Sequence, residues 1–275
     1  MLKIKEIAIV LLAVLASLPA ELEVCGHDES FRNVTIPESV VLDGVSYRVT
    51  AIGDYAFKGY AKIRTVSMPH VEKIGKEAFY GCTYVKPTDM DSVRSIGVKA
   101  FARCSSIGPV EFGGSLKTIG AYAFYGCKSL ESVDIPDIVT SIGSYAFYKC
   151  SGLSDVQLGP SLKKISSRAF AYTALEEVTV PAKVSSIGSY AFYGCSALRS
   201  VDVEGASVSI GASAFASCPA LEHVSMPDAI KKLGSGAFKG VTFKDVAGST
   251  LKHTAKALSG KAFEGSGCVL VEVAA

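Results

Sequence analysis

The sequence predicts a curved solenoid: stacked repeats with a parallel β-sheet on the inner face, short helices or turns outside, and a β-hairpin cap at the N-terminal end. Three observations predict it. A six-residue phrase recurs in phase along most of the chain. Each copy carries a split hydrophobic pattern that it cannot bury alone. The composition is skewed as a repeated template would skew it, with Asn33 and Gln157 the only amides and no tryptophan in 275 residues.

The phrase is Ile-Gly-x-x-Ala-Phe. Its phenylalanines are Phe57, Phe79, Phe101, Phe124, Phe147, Phe170, Phe192, Phe215 and Phe238, at intervals of 22 or 23 residues. A period of this length marks repeats that stack rather than fold singly. Glycine stands four before the phenylalanine in every copy but one, where Ser166 replaces it.

One copy, Leu130 to Cys150, shows the physical logic. Val133 and Ile135 are two apart and share one face of a strand. Pro136 ends that strand because it lacks an N–H for the ladder. Ile142, Ala146 and Cys150 recur every four residues, which predicts a helical stripe of about two turns, too short to stand alone. Gly143 is expected to ease the backbone into that stripe. Neither half has a partner within the copy, so neighbouring copies must cover both. At about 4.8 Å per parallel strand, nine rungs give a rod about 40 Å long.

The ends differ. Val34-Thr35-Ile36-Pro37 reads as a half-repeat strand. Asp43-Gly44 between Val41-Leu42 and Val45-Tyr47 is a hairpin signal. Residues 21–55 thus form an N-terminal cap, 56–246 the repeats, and 247–275 a C-terminal cap, with Phe263 out of phase and Val269 to Val273 as a closing strand. Residues 1–20 read as a secretory signal peptide: Lys3 and Lys5, then an uncharged run from Ile7 to Leu18, then Pro19. Twelve helical residues are too few to cross a bilayer; an uncleaved anchor or a buried segment is the alternative.

Around these residues the chain resembles the BspA-like leucine-rich repeats, the Treponema pallidum type. The copy Leu175-Glu-Glu-Val-Thr-Val-Pro181, Val184, Ile187-Gly188, Ala191-Phe192 and Cys195 follows their pattern of about 23 residues. The resemblance implies a leucine-rich-repeat solenoid. It also implies a secreted or cell-surface protein of an anaerobe, gut archaeon or protist, of a kind that includes adhesins for host matrix or microbial surface proteins. It transfers no fixed catalytic or binding residues.

Composition supports no other class. The net charge is +2, with 49% hydrophobic and 20% charged residues, so nothing draws the chain as a whole to nucleic acid. His27, His70, His223 and His253 are scattered, and Gly234, Gly236 and Gly240 have the wrong spacing for a nucleotide loop. No cofactor and no catalytic residue is expected. Cys82, Cys104, Cys127, Cys150, Cys195 and Cys218 follow the repeat phenylalanine by three; Tyr60, Thr173 and Val241 stand there in other copies. Metal-ligand spacing is lacking, and buried free thiols are the expected reading. Cys25 and Cys268 lie outside that ladder. Asn33-Val34-Thr35 is a glycosylation sequon, or simply a polar entry to the first strand.

Function is expected on the open strand face, where residues flanking the central strand position form a grid. Rung by rung these are Thr65 and Ser67, Pro87 and Asp89, Pro109 and Glu111, Ser132 and Asp134, then Asp155 and Gln157. Glu177 and Thr179, Ser200 and Asp202, His223 and Ser225, and Asp245 and Ala247 follow. Seven of the eighteen are carboxylates and none is Lys or Arg. Asp89, Glu111 and Asp134 are expected in one column on consecutive rungs. Such a column would bind a basic protein surface or gather a divalent cation; a solvated face kept charged for solubility is the alternative. The leading function is non-enzymatic protein binding or adhesion, and the second is a structural surface scaffold without a specific ligand.

Overall fold

The structure, a computed structural model, describes residues 32–42, 44–226 and 229–241. The expected signal segment, Cys25, Cys268, Phe263 and the expected closing strand lie outside them. Among the described residues nineteen strands follow one another and there is no helix. The entry half-repeat forms β1 (Asn33–Thr35), and the hairpin is β2 (Ser39–Leu42) with β3 (Val45–Arg48). The two hairpin strands pair antiparallel from Ser39↔Arg48 to Leu42↔Val45. Gly44 supplies the φ of 77° that the tight turn demands; Asp43 lies outside the described residues.

Each coil of the solenoid but one then contributes two short parallel strands. On the first flank run β5 (Thr65–Ser67), β7 (Lys86–Thr88), β10 (Ser132–Asp134), β12 (Asp155–Gln157), β14 (Glu177–Val180), β16 (Ser200–Val203) and β18 (His223–Ser225). On the second run β4 (Ala51–Ile52), β6 (Lys73–Ile74), β8 (Ser95–Ile96), β9 (Thr118–Ile119) and β11 (Ser141–Ile142). It continues through β13 (Lys164–Ile165), β15 (Ser186–Ile187), β17 (Ser207–Ile210) and β19 (Ala229–Leu233).

The second flank is the continuous one. Its nine strands form a single sheet, and the isoleucine that ends one strand pairs with its counterpart on the next, as in Ile142↔Ile165 and Ile165↔Ile187, with Leu233 in that place on β19. The first flank is broken into sheets β1-β5-β7, β10-β12 and β14-β16-β18. Between β7 and β10, Ile107–Gly113 forms no strand.

The predicted helical stripe is not a helix, and the reason lies in the backbone. Two residues per coil adopt positive φ. One stands two before the phenylalanine, as in Tyr145 (60°), and the other two after it, as in Lys149 (60°). A left-handed residue every four positions cannot belong to a right-handed helix. It closes successive tight turns instead, as in Ala146 N–H to Gly143 C=O and Cys150 N–H to Phe147 C=O, both at 3.2 Å. The intervening amides reach to the next coil: Tyr145 N–H bonds Ser167 C=O at 3.0 Å and Phe147 N–H bonds Ala169 C=O at 2.8 Å. The four-residue hydrophobic spacing therefore reports turns whose apolar members face inward, bonded coil to coil.

The core is a ladder. Each repeat phenylalanine lies flat on the next, with centroid spacings from 5.1 Å between Phe79 and Phe101 to 5.5 Å between Phe170 and Phe192. All nine are buried. Deleting one such ring from a packed core typically costs about 3–5 kcal/mol. The cysteines form a second ladder beside them. Cys82 Sγ donates to the carbonyl of Phe57 at 2.9 Å, and Cys150 Sγ to that of Phe124 at 3.0 Å. Thr173 turns instead to its own coil, donating to Phe170 C=O at 2.9 Å. The six ladder thiols are free and buried, and desolvation pushes Cys82 up to about 12.

The repeat glycine serves a purpose other than the expected one. Gly143 does not adopt positive φ. Its Cα–H presses on the previous coil, and a Cβ there would overlap the backbone of Gly120 and Ala121.

Candidate functional site

Alternation in the first-flank strands turns the central residue inward and its neighbours to solvent. Val133, Val156, Val178, Val201 and Val224 are buried, while Asp134, Asp155, Glu177, Asp202 and His223 are exposed. Register then decides which side chains neighbour one another. Asp134 pairs with Gln157 and Ser132 with Asp155. Glu177 pairs with Ser200, and Thr179 with Asp202; Ser200 pairs in turn with His223, and Asp202 with Ser225. The carboxylates thus mostly alternate with neutral polar residues. Asp155 and Glu177 stand on successive rungs, β12 and β14, as like-charged neighbours. Glu176 N–H donates to Ser154 C=O at 3.3 Å, repeating the Ser154 N–H to Glu131 C=O bond and carrying the register across. Gln157 Nε2 donates to Asp155 Oδ1 at 3.2 Å, which offsets part of that repulsion.

The predicted column Asp89, Glu111 and Asp134 does not form. In β7 the residue paired with Val66 is Pro87, so the outward neighbours are Lys86 and Thr88. The chain is one residue shorter here: Ile63 precedes Val66 by three, whereas Val85 precedes Pro87 by two. Asp89 falls past the strand at a φ of 58°. Its carboxylate accepts from Ser67 Oγ at 2.5 Å and from Thr88 Oγ1 at 3.1 Å. Glu111 is exposed but belongs to the unpaired Ile107–Gly113 segment. Asp245 and Ala247 lie outside the described residues.

Two consequences follow. The flank does carry an exposed cation, Lys86, contrary to expectation. The column on which a divalent cation was expected is missing, and among the described residues no three His, Cys, Asp or Glu side chains converge. The sequon residue Asn33 lies on β1, where its side-chain carbonyl accepts from Thr65 Oγ1 at 2.7 Å.

Sequence reasoning overlooked a second array at the surface, the tyrosines of the turn segments from Tyr122 to Tyr193, which are half-buried apart from the exposed Tyr172. The signal was present in the Tyr-Ala-Phe-Tyr runs at Tyr122–Tyr125, Tyr145–Tyr148 and Tyr190–Tyr193. Reading the segment as a helix hid that these side chains line up from coil to coil.

A profile of the BspA type leucine rich repeat region matches six copies, over residues 27–140, 72–199 and 117–244. Among solved structures, the chain is similar to a leucine rich cell surface protein from Faecalibacterium prausnitzii. Identity is 27% and the TM-score 0.62, covering 86% of this chain and 80% of that one. It is also similar to a leucine-rich repeat protein from Bacteroides ovatus, at 25% identity and a TM-score of 0.46, over 77% of this chain and 73% of that one. A T. pallidum leucine rich repeat protein gives 23% identity and 0.44, over 82% and 79%. No curated protein matches. Among the described residues no helix is long and apolar enough to cross a membrane. With its repeats matched along most of their length, this chain belongs to the BspA type leucine-rich repeat family.

Proposed function

We propose that the chain is a non-enzymatic protein-binding solenoid of the cell exterior, contacting a basic protein surface through its first flank between β10 and β18. One observation carries this reading. Across those five strands Asp134, Asp155, Glu177 and Asp202 are exposed, and no strand residue is Lys or Arg, in a chain whose net charge is +2. Acidic residues are poor strand formers, so their concentration on strands runs against local preference. A rigid grid of this kind needs no reorganisation to meet a partner, which lowers the cost of binding. The similarity to a cell surface protein and the apolar run before Pro19 support an exterior location.

The test is binding of the intact chain to immobilised poly-lysine and to a panel of extracellular matrix proteins. Neutralising the grid with Asp134→Asn, Asp155→Asn, Glu177→Gln and Asp202→Asn should weaken binding roughly tenfold or more. It should also flatten the salt dependence. Equal binding by the neutralised chain would overturn the reading and leave a structural scaffold.

A further inference from the structure

The turn segments form the third side of the coil, and the aromatic side chains there are laid out in two rows. In the first, Tyr122 lies flat on Tyr145 at 4.5 Å and 7°. Arg168 continues the row. Its guanidinium carbon stands 5.4 Å from the Tyr145 ring centre and 4.2 Å from that of Tyr190, and it donates to the Tyr145 hydroxyl at 2.9 Å. In the second row Tyr125 lies flat on Tyr148 at 5.6 Å and 5°. Tyr172 follows, edge-on to Tyr148 at 5.5 Å and to Tyr193 at 5.4 Å. The Lys149 ammonium stands 5.5 Å from the Tyr148 ring centre.

Stacked rings occupy one another's faces, so these rows offer solvent their edges, their hydroxyls and the cations between them. The charge there has one sign. The six turn segments from Gly97–Cys104 to Gly211–Cys218 contain Lys99, Arg103, Lys149 and Arg168 and no Asp or Glu. Burial pushes the phenols of Tyr122, Tyr148 and Tyr172 upward, which keeps them protonated as donors.

The backbone supplies a second, independent observation. Tyr122, Tyr145, Tyr172, Tyr190, Lys149 and Arg168 all sit at φ between 56° and 60°, where bulky side chains are strained. Glycine fills equivalent places at Gly126, Gly194 and Gly236 with no strain. The coil can therefore be closed without large side chains here, yet the chain retains them. Turn closure does not dictate these side chains, since glycine and serine close the coil at the same repeat places, as at Gly194, Ser213 and Ser217.

We infer that this tyrosine–arginine side is a second binding surface, which takes an extended acidic protein segment running along the coil axis. The segment's carboxylates meet Arg168, Lys149 and the phenol hydroxyls. Tyr and Arg are the residue types that carry most energy in protein interfaces. A neutral polysaccharide fits less well, because the flat Tyr122–Tyr145 and Tyr125–Tyr148 pairs and the Arg168 guanidinium occupy ring faces on which a sugar would lie. This surface is separate from the acidic strand flank and opposite to it in charge, so the two proposals stand or fall independently.

The probe is a short poly-glutamate peptide added to the intact chain. Tyrosine emission provides the readout, because the chain has no tryptophan and the peptide no aromatic residue. Saturable binding that weakens with added salt is expected. The double variant Lys149→Gly, Arg168→Gly removes both cations while leaving residues that favour positive φ, so the coil stays folded. It should weaken binding roughly tenfold or more. The strand-flank variant Asp134→Asn, Glu177→Gln should bind as the unaltered chain does. Absence of binding, or binding that survives the double variant, would overturn the inference. So would binding of heparin without binding of poly-glutamate, or chain–chain association that both variant sets abolish, since the occupant would then be a polysaccharide or a second copy.

Discussion

A Cβ has no room at Gly97: it would lie 2.6 Å from the carbonyl carbon of Gly75 on the previous coil. Gly108, in the unpaired segment, has nothing within 4 Å of the same position. Neither adopts positive φ, so the two separate close approach from backbone freedom. Gly97→Ala should lower stability by about 1–3 kcal/mol, the usual cost of overpacking. Gly108→Ala should change it by no more than about 0.5 kcal/mol. Urea unfolding midpoints of the two variants check this, and equal effects would contradict the close-packing account. The glycine column was plain in the sequence, but its cause was not. Spacing shows that a residue type is required without showing whether φ or a neighbouring backbone requires it. The buried positions were more legible, because Phe, Ile and Val at fixed phase admit one destination, the core.

Between elements, the most informative tie is Glu77. Only 8% exposed, it accepts from Lys58 Nζ at 2.7 Å and lies 3.8 Å from Lys99 Nζ, linking three successive coils. The Lys58 hydrogen bond holds its carboxyl below the ordinary range. A carboxyl lowered by folding adds stability that is present above its unfolded pKa and lost as pH falls through the folded value. The stability difference between the unaltered chain and Glu77→Gln should therefore be steady near neutral pH and shrink as pH drops below about 4.3. Unfolding midpoints across that range measure it; a difference that persists in acid would show the ion pair to be immaterial. Two element-level expectations failed for reasons that can be stated. A spacing of four fits a helical stripe and also successive turns with left-handed third residues, and only the φ column distinguishes them. The acidic column failed because one residue is missing before Pro87. Shifting a strand by one exchanges its faces, so Lys86 and Thr88 stand where Pro87 and Asp89 were expected.

At the scale of the whole molecule the solenoid was legible because nine in-phase copies leave little else that buries every hydrophobic stripe. Both surface arrays inherit their geometry from that stacking. The acidic grid is spaced by strand pairing and the tyrosine rows by ring contact, so a break in the stack would scatter both. Their opposite charges give the coil two unlike sides, the acidic grid legible from composition and the tyrosine rows visible only once the turns replaced the helix. The most direct measurement of continuous stacking is a spin-label distance between Thr65→Cys and His223→Cys, seven rungs apart on the first flank. With Cys25 and Cys268 replaced by serine and the six ladder thiols buried, the label goes to the surface positions. Continuous stacking gives one narrow distribution centred near the backbone separation of about 34 Å that seven rungs at about 4.8 Å impose. A broad distribution, or one centred far from that value, would contradict it.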